Sequence, residues 1–207
     1  MIGEIRTGLI TSSDGSKHVP RSDRQGALVI TPSGGGYKEP SLRQRMCFSY
    51  CASRATSVPT TAMIGNIVWN PPGSGVVLSL NSWNVIIHVT SATCVGITLG
   101  YAAQAITPTT TTVADAYGSC YLDAGSPGKC SAKAYAIGTL LVAPTPVTPL
   151  FHNTAAIATT GVDKMRGDFN GVWSVPPGYA VALCALGAAV AAVGMTSTLT
   201  WEEVPIV

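Results

Sequence analysis

Apolar and polar positions alternate with period two along much of this chain, and Pro and Gly clusters interrupt the alternation about every 8 to 12 residues, as in antiparallel all-β domains. The clearest run is Met195-Thr-Ser-Thr-Leu-Thr-Trp-Glu-Glu-Val204 near the C-terminus. Asn66-Ile-Val-Trp69 predicts a strand that ends in the turn Asn70-Pro-Pro-Gly-Ser-Gly75, and Val76 to Thr90 predicts one long strand or two short ones. Cys94 to Ala105 and Lys133 to Ala143 read as further strands, and Ile157 to Thr160 and Val172 to Val175 as short ones. Between them, Thr107-Pro-Thr-Thr-Thr-Thr112 is a polar loop tip, and Pro146 and Pro149 carry an extended connection. Thr112 to Tyr121 is the only segment of the body that suggests a helical turn.

Tyr179 to Met195 is the exception to the alternation: no charge interrupts it, and its length reaches the lower edge of a membrane span. It is mostly Ala, Gly and Val, follows Pro176-Pro177-Gly178 and is broken by Gly187. It therefore predicts two core strands joined near Gly187, with no membrane partner. The expected fold is an all-β antiparallel sandwich or jelly roll with an extended N-terminal arm.

Charge separates the arm from the body. Residues 1 to 60 hold eight basic side chains against four acids, whereas 61 to 207 hold four against six. The expected division is thus a basic arm over 1–61 and a sandwich over 62–207. Ser33-Gly-Gly-Gly36 is a joint in the arm, while Ala27 to Ile30 and Ser41 to Ala52 have the apolar content to pair as added strands, within the subunit or swapped into a neighbour. Met1 to Leu9 carries Glu4 and Arg6 and no apolar core of a secretory leader. The whole chain is only 11% charged, with a net charge of +2. That balance excludes a coiled coil and a charged disordered chain, is too small to argue for a nucleic-acid partner, so that none is expected, and suits a subunit that covers much of its surface with other proteins.

Chemistry is sparse. The six cysteines lack zinc spacing, since Cys47 and Cys51 are three residues apart and only His18, His88 and His152 supply nitrogen. Buried thiols are the expectation without a leader, with Cys120–Cys130 across a Gly/Pro-rich loop as a possible disulfide and Cys47–Cys51 as a second possibility. His88, between Ile87 and Val89, reads as a hydrogen-bonded strand histidine. Gly125-Ser-Pro-Gly-Lys129 lacks the spacing and the Ser or Thr of a phosphate loop, and no Gly-x-Ser-x-Gly elbow is present. Asp163 and Asp168 flank Lys164-Met-Arg166 and read as a solvated turn rather than half of a glycosidase pair. The four tryptophans read as sandwich anchors or interface residues. No catalytic, cofactor or metal residues are expected.

Three stretches carry a resemblance. Asn70-Pro-Pro-Gly-Ser-Gly-Val-Val-Leu78, the late Phe169-Asn-Gly-Val-Trp-Ser-Val-Pro-Pro-Gly-Tyr-Ala-Val-Ala182 and the closing Leu199-Thr-Trp-Glu-Glu-Val-Pro205 resemble the single-domain β-sandwich structural proteins of tailed bacteriophages, of the capsid decoration (cement) or tail-accessory kind. The resemblance covers about residues 62 to 207 and rests on arrangement. It implies a non-enzymatic virion subunit, a homotrimer made in the host bacterial cytoplasm that binds the major capsid protein on the particle surface and bridges capsomers. Under that reading Arg43, Arg45 and Arg54 are the partner-binding residues, facing acidic capsid surface. The long basic arm departs from the compact decoration proteins. The rival expectation is a tail-associated, glycan-binding virion protein that uses the Thr107 to Thr112 loop and an exposed Trp.

Overall fold

The computed structural model describes the backbone of residues 10–11, 17–18, 21–22, 28–29, 46–89, 94–120, 130–152, 163–187 and 193–206. The chain forms two compact units, Met1–Glu39 and Pro40–Val207. In the first, β1 (Ile10–Thr11) pairs antiparallel with β2 (Lys17–His18), and β3 (Arg21–Ser22) with β4 (Leu28–Val29). The apolar Leu28-Val29 thus pairs as a strand, with a neighbour close in sequence.

The second unit is all-β, with no helix among the described residues. Its strands are β5 (Met46–Thr56), β6 (Ala62–Asn70), β7 (Val76–Val89), β8 (Cys94–Ala103), β9 (Thr109–Val113), β10 (Ala116–Ser119), β11 (Lys133–Thr139), β12 (Thr145–His152), β13 (Asp163–Asp168), β14 (Ser174–Val175), β15 (Tyr179–Gly187) and β16 (Val193–Pro205). They form two antiparallel sheets packed face to face. The first runs β10-β5-β16-β7-β13, with β14 also on β7, and the second runs β12-β8-β15-β6-β11-β9. Taking β5, β6, β7, β8, β12, β13, β15 and β16 as strands one to eight, the sheets read one-eight-three-six and two-seven-four-five. That order is a jelly roll, two Greek keys wrapped into a sandwich. Strands β9 to β11 are an insertion between its fourth and fifth strands.

Three expectations are corrected. The arm does not extend to residue 61: β5 lies between β10 and β16 in the first sheet, so the body begins after Glu39. Charge misplaced the boundary because β5 carries Arg54 and follows the basic Arg43 and Arg45 while its apolar positions enter the core. Among the described residues of the helical turn expected over Thr112 to Tyr121, the chain instead forms the end of β9 and then β10, whose Ala116 to Ser119 pair with Tyr50 to Cys47. Finally, Pro146 and Pro149 lie within a strand, β12, which tolerates them because it is an edge and pairs only with β8. The strand expected at Ile157 to Thr160 lies outside the described residues.

The main core fills the space between the sheets, with Leu78, Val85, Leu199 and Trp201 from the first meeting Val68, Leu99, Val181 and Leu183 from the second. A polar link crosses it: Ser49 Oγ on β5 donates to Asn66 Oδ1 on β6 at 2.6 Å, and Asn66 Nδ2 donates to the carbonyls of Ser49 and Ser197 at 3.4 Å each. A second apolar layer, with Met63, Ile67, Trp69, Tyr135, Ala180, Ala182 and Cys184, lies on the opposite face of the second sheet. Pro144 reaches this layer at Gly100, where an added Cβ would stand 2.9 Å from Pro144 Cβ and 3.2 Å from Cys184 Sγ. Pro108 reaches it at Gly138. β15 is therefore buried on both faces from Ala180 to Ala185, which explains its unbroken apolar run. No helix among the described residues is long and apolar enough to cross a membrane.

Candidate functional site

The open side of the sandwich, between edge strand β12 of the second sheet and β13 and β14 of the first, is shaped by a tight turn. β7 carries a register shift between its Leu80 and Ser82 pairings with β16, which leaves Asn81 as an extra residue. There Asn81 O accepts from Phe169 N at 2.6 Å and Leu80 O from Gly171 N at 2.9 Å. Asn170 and Gly171 both take left-handed conformations, with φ of 49° and 73°, and so reverse the chain. The reversal brings Trp173 back to β7, where Leu80 N donates to Trp173 O at 2.9 Å. The Phe169-Asn-Gly-Val-Trp173 sequence is therefore a hook that fixes one half-buried tryptophan at the mouth of the sandwich.

Two cavities share Trp173. One, of about 410 Å³, is lined by Tyr101, Val147, Pro176 and Tyr179 among others, with Tyr101 45% and Tyr179 37% exposed. The other, of about 290 Å³, lies between Thr148 and Pro149 of β12 and Trp83, Asp168 and Phe169. Gly167 permits the second: a Cβ there would meet Trp83 Nε1 at 2.7 Å, so only glycine lets the indole lie against β13.

The adjoining end of the sandwich is held by amides. Asn70 Nδ2 donates to the carbonyls of Val76 and Val175 at 2.9 Å each and so clamps both Pro-Pro-Gly turns. Gly178 N donates to Asn70 O at 2.8 Å and Gln104 N to Gly178 O at 2.7 Å, while Trp69 Nε1 donates to Gln104 O at 2.8 Å. The buried Gln104 side chain ties two loops together, donating from Nε2 to Ile106 O at 2.7 Å and accepting at Oε1 from Leu141 N at 2.8 Å. Those loops expose Ile106 (55%), Leu141 (50%) and Val142 (54%). Apolar side chains are thus held outward on anchored backbone.

The disulfide joins Cys47 to Cys130, not Cys120 to Cys130. The β10–β5 pairing brings Cys120 beside Met46, with Cys120 N donating to Met46 O at 2.7 Å, yet it is Cys47 that faces into the core toward Cys130, with Cα atoms 6.4 Å apart. Cys51, Cys120 and Cys184 are thiols, Cys51 and Cys184 buried as expected, and burial pushes the Cys184 thiol up to about 12. A Glu203 carboxylate oxygen lies within 4.8 Å of both disulfide sulfurs. This trio does not fit a metal, because the sulfurs are bonded to each other and the carboxylate accepts from Ser131 N at 3.0 Å and Ala132 N at 2.9 Å.

Other expected residues scatter. Arg43 and Arg45 lie outside the described residues, and Arg54 is in β5 with its side chain outside them. Asp163 and Asp168 stand at opposite ends of β13, with Asp168 exposed. His88 is a strand histidine as expected, its Nε2 2.7 Å from Thr196 Oγ1. Trp69, Trp83 and Trp201 are buried anchors, and Trp173 alone is half-buried. Thr109 to Thr112 are exposed on β9, an edge strand. Sequence reasoning missed Gln104, Asn70 and Asn66, whose roles depend on partners such as Leu141, Val175 and Ser197. No family model, curated protein or solved structure matches the chain.

Proposed function

We propose that this protein is a non-enzymatic structural subunit of a virus particle, one that decorates and cements the capsid of a tailed bacteriophage by bridging neighbouring capsomers. The observation that carries the reading is the pair of anchored loops that expose Ile106, Leu141 and Val142 on a jelly-roll body. Anchored apolar side chains suit a surface that another subunit covers, because the backbone pays little ordering entropy on docking. The jelly roll is a recurrent fold of viral capsid and lectin domains, which is support at the level of the fold. The Cys47–Cys130 disulfide suits a protein that works outside the reducing cytoplasm, on a released particle.

Cementing then follows from linkage: a trimer that binds only the assembled shell shifts the assembly equilibrium toward the shell. Arg43, Arg45 and Arg54 supply the attraction to acidic capsid surface in this reading. The test is light scattering on the purified chain, followed by co-sedimentation with undecorated phage heads. A trimer that pellets with heads is the expected result, and Ile106→Asp/Leu141→Asp/Val142→Asp is expected to abolish pelleting while the unfolding midpoint stays put. A chain that remains in the supernatant with heads from every phage tried overturns the reading.

A further inference from the structure

We propose that the open side of the sandwich at Trp173 is a carbohydrate-binding groove that takes a neutral saccharide chain. The inference stands on the groove alone and does not rest on the capsid reading. Trp173 lines both cavities, so a ligand occupying them together passes one indole midway. Their volumes, about 410 and 290 Å³, lie within and just below the roughly 300–1,000 Å³ usual for small-ligand sites, which suits one sugar unit or two in each.

The chemistry of the lining selects the ligand. Tyr101, Trp173 and Tyr179 give the first cavity three aromatic rings, and an aromatic face packs against the apolar C–H face of a pyranose. The first lining is mostly apolar, and the hydroxyl-bearing residues are Tyr101, Tyr179 and Ser174 in it and Thr148 in the second. Each both donates and accepts, as sugar hydroxyls do. Among the described lining residues Asp168 alone carries an acidic or basic group, and a carboxylate only accepts. It fits two neighbouring hydroxyl donors on one sugar and repels a phosphate or an acidic glycan. A Pro-rich peptide would use the same rings but leave the carboxylate without a donor, since proline has no N–H.

The groove is also pre-formed. Its tryptophan is pinned through its own backbone to β7, and the following Ser174 and Val175 pair with β7 as a strand, so little freedom is lost on binding. The site differs from the exposed residues Thr109 to Thr112, which line neither cavity.

The experiment is titration calorimetry with tryptophan fluorescence on the full chain, using maltohexaose, cellohexaose, chitohexaose, mannohexaose and a decaproline peptide. At least one hexasaccharide is expected to bind and to shift the tryptophan emission. Asp168→Ala and Tyr101→Ala, both at exposed positions and so compatible with folding, are each expected to weaken that binding about tenfold or more, a change of about 1.4 kcal/mol. Replacing Thr109 to Thr112 by Ala is expected to leave it unchanged. A loss in at least one groove variant supports the site. The proposal is overturned by no saccharide binding at millimolar concentration, by saccharide binding that neither groove variant weakens, or by binding of decaproline alone.

Discussion

The two sheets of the sandwich solve the same burial problem differently. In the first, β16 buries Met195, Ser197, Leu199, Trp201 and Glu203 on one face and leaves Thr196, Thr198, Thr200 and Glu202 half-exposed on the other. In the second, β15 buries every residue from Ala180 to Ala185, because Leu140 and Pro144, in the loop before β12, pack on its outer face. Small residues make that cover possible, since Gly100 and the alanines let Pro144 approach the sheet closely. One sheet is finished by polar side chains and the other by a second apolar layer, and the exposed apolar loops belong to the second.

That contrast can be broken at its joint first. The disulfide ties β5 of the first sheet to the segment leading into β11 of the second and closes a loop with a sequence separation of 83. Cys47→Ser/Cys130→Ser is expected to cost about 4 to 5 kcal/mol by the loop-entropy relation, measured by urea unfolding. Next, Leu183→Ala on the inner face of β15 is expected to cost about 3 kcal/mol through the cavity it leaves. On the outer face the reverse change matters: Gly100→Ala is expected to cost about 2 kcal/mol by overpacking against Pro144 and Cys184.

A smaller effect comes from pH. Unfolding exposes Cys184 to its ordinary ionisation near 9, whereas the folded thiol stays protonated up to about 12. Above pH 9 the unfolded state therefore holds fewer protons than the folded one, and stability falls as pH rises through this window. The expected loss is about 1 kcal/mol between pH 9 and 10, and Cys184→Ala is expected to remove it from the pH profile. Smallest is the outward face of the first sheet, where Thr198→Val is expected to change stability by less than about 0.5 kcal/mol. A large loss there would show that this face is as closely covered as its counterpart.

The division between local and distant information runs through particular residues. Period-two alternation foretold β16, and the Asn70 to Gly75 and Pro176 to Gly178 clusters foretold turns, because both depend on sequence neighbours. Gly73, Gly75 and Gly178 indeed adopt left-handed φ of 75°, 73° and 82°. The candidate site was legible only in part: Trp173 and Asp168 stood out as residue types, but nothing local set Trp173 apart from the three buried tryptophans. Its place follows from the hook onto Leu80 and Asn81, some ninety positions earlier in the chain.

The sequence by itself determined the all-β class, the turns and the absence of charge from the β15 run, since these follow from the backbone preferences and polarity of adjacent residues. Only the tertiary structure decided that the strands follow jelly-roll order, that β5 belongs to the body, that Cys47 rather than Cys120 reaches Cys130, and that β12 and β13 flank an aromatic groove. Each of those depends on which of many apolar strands lie side by side. Strands with the same alternation are interchangeable to a local reading, and the choice among them is made by packing and hydrogen bonding across the whole sandwich.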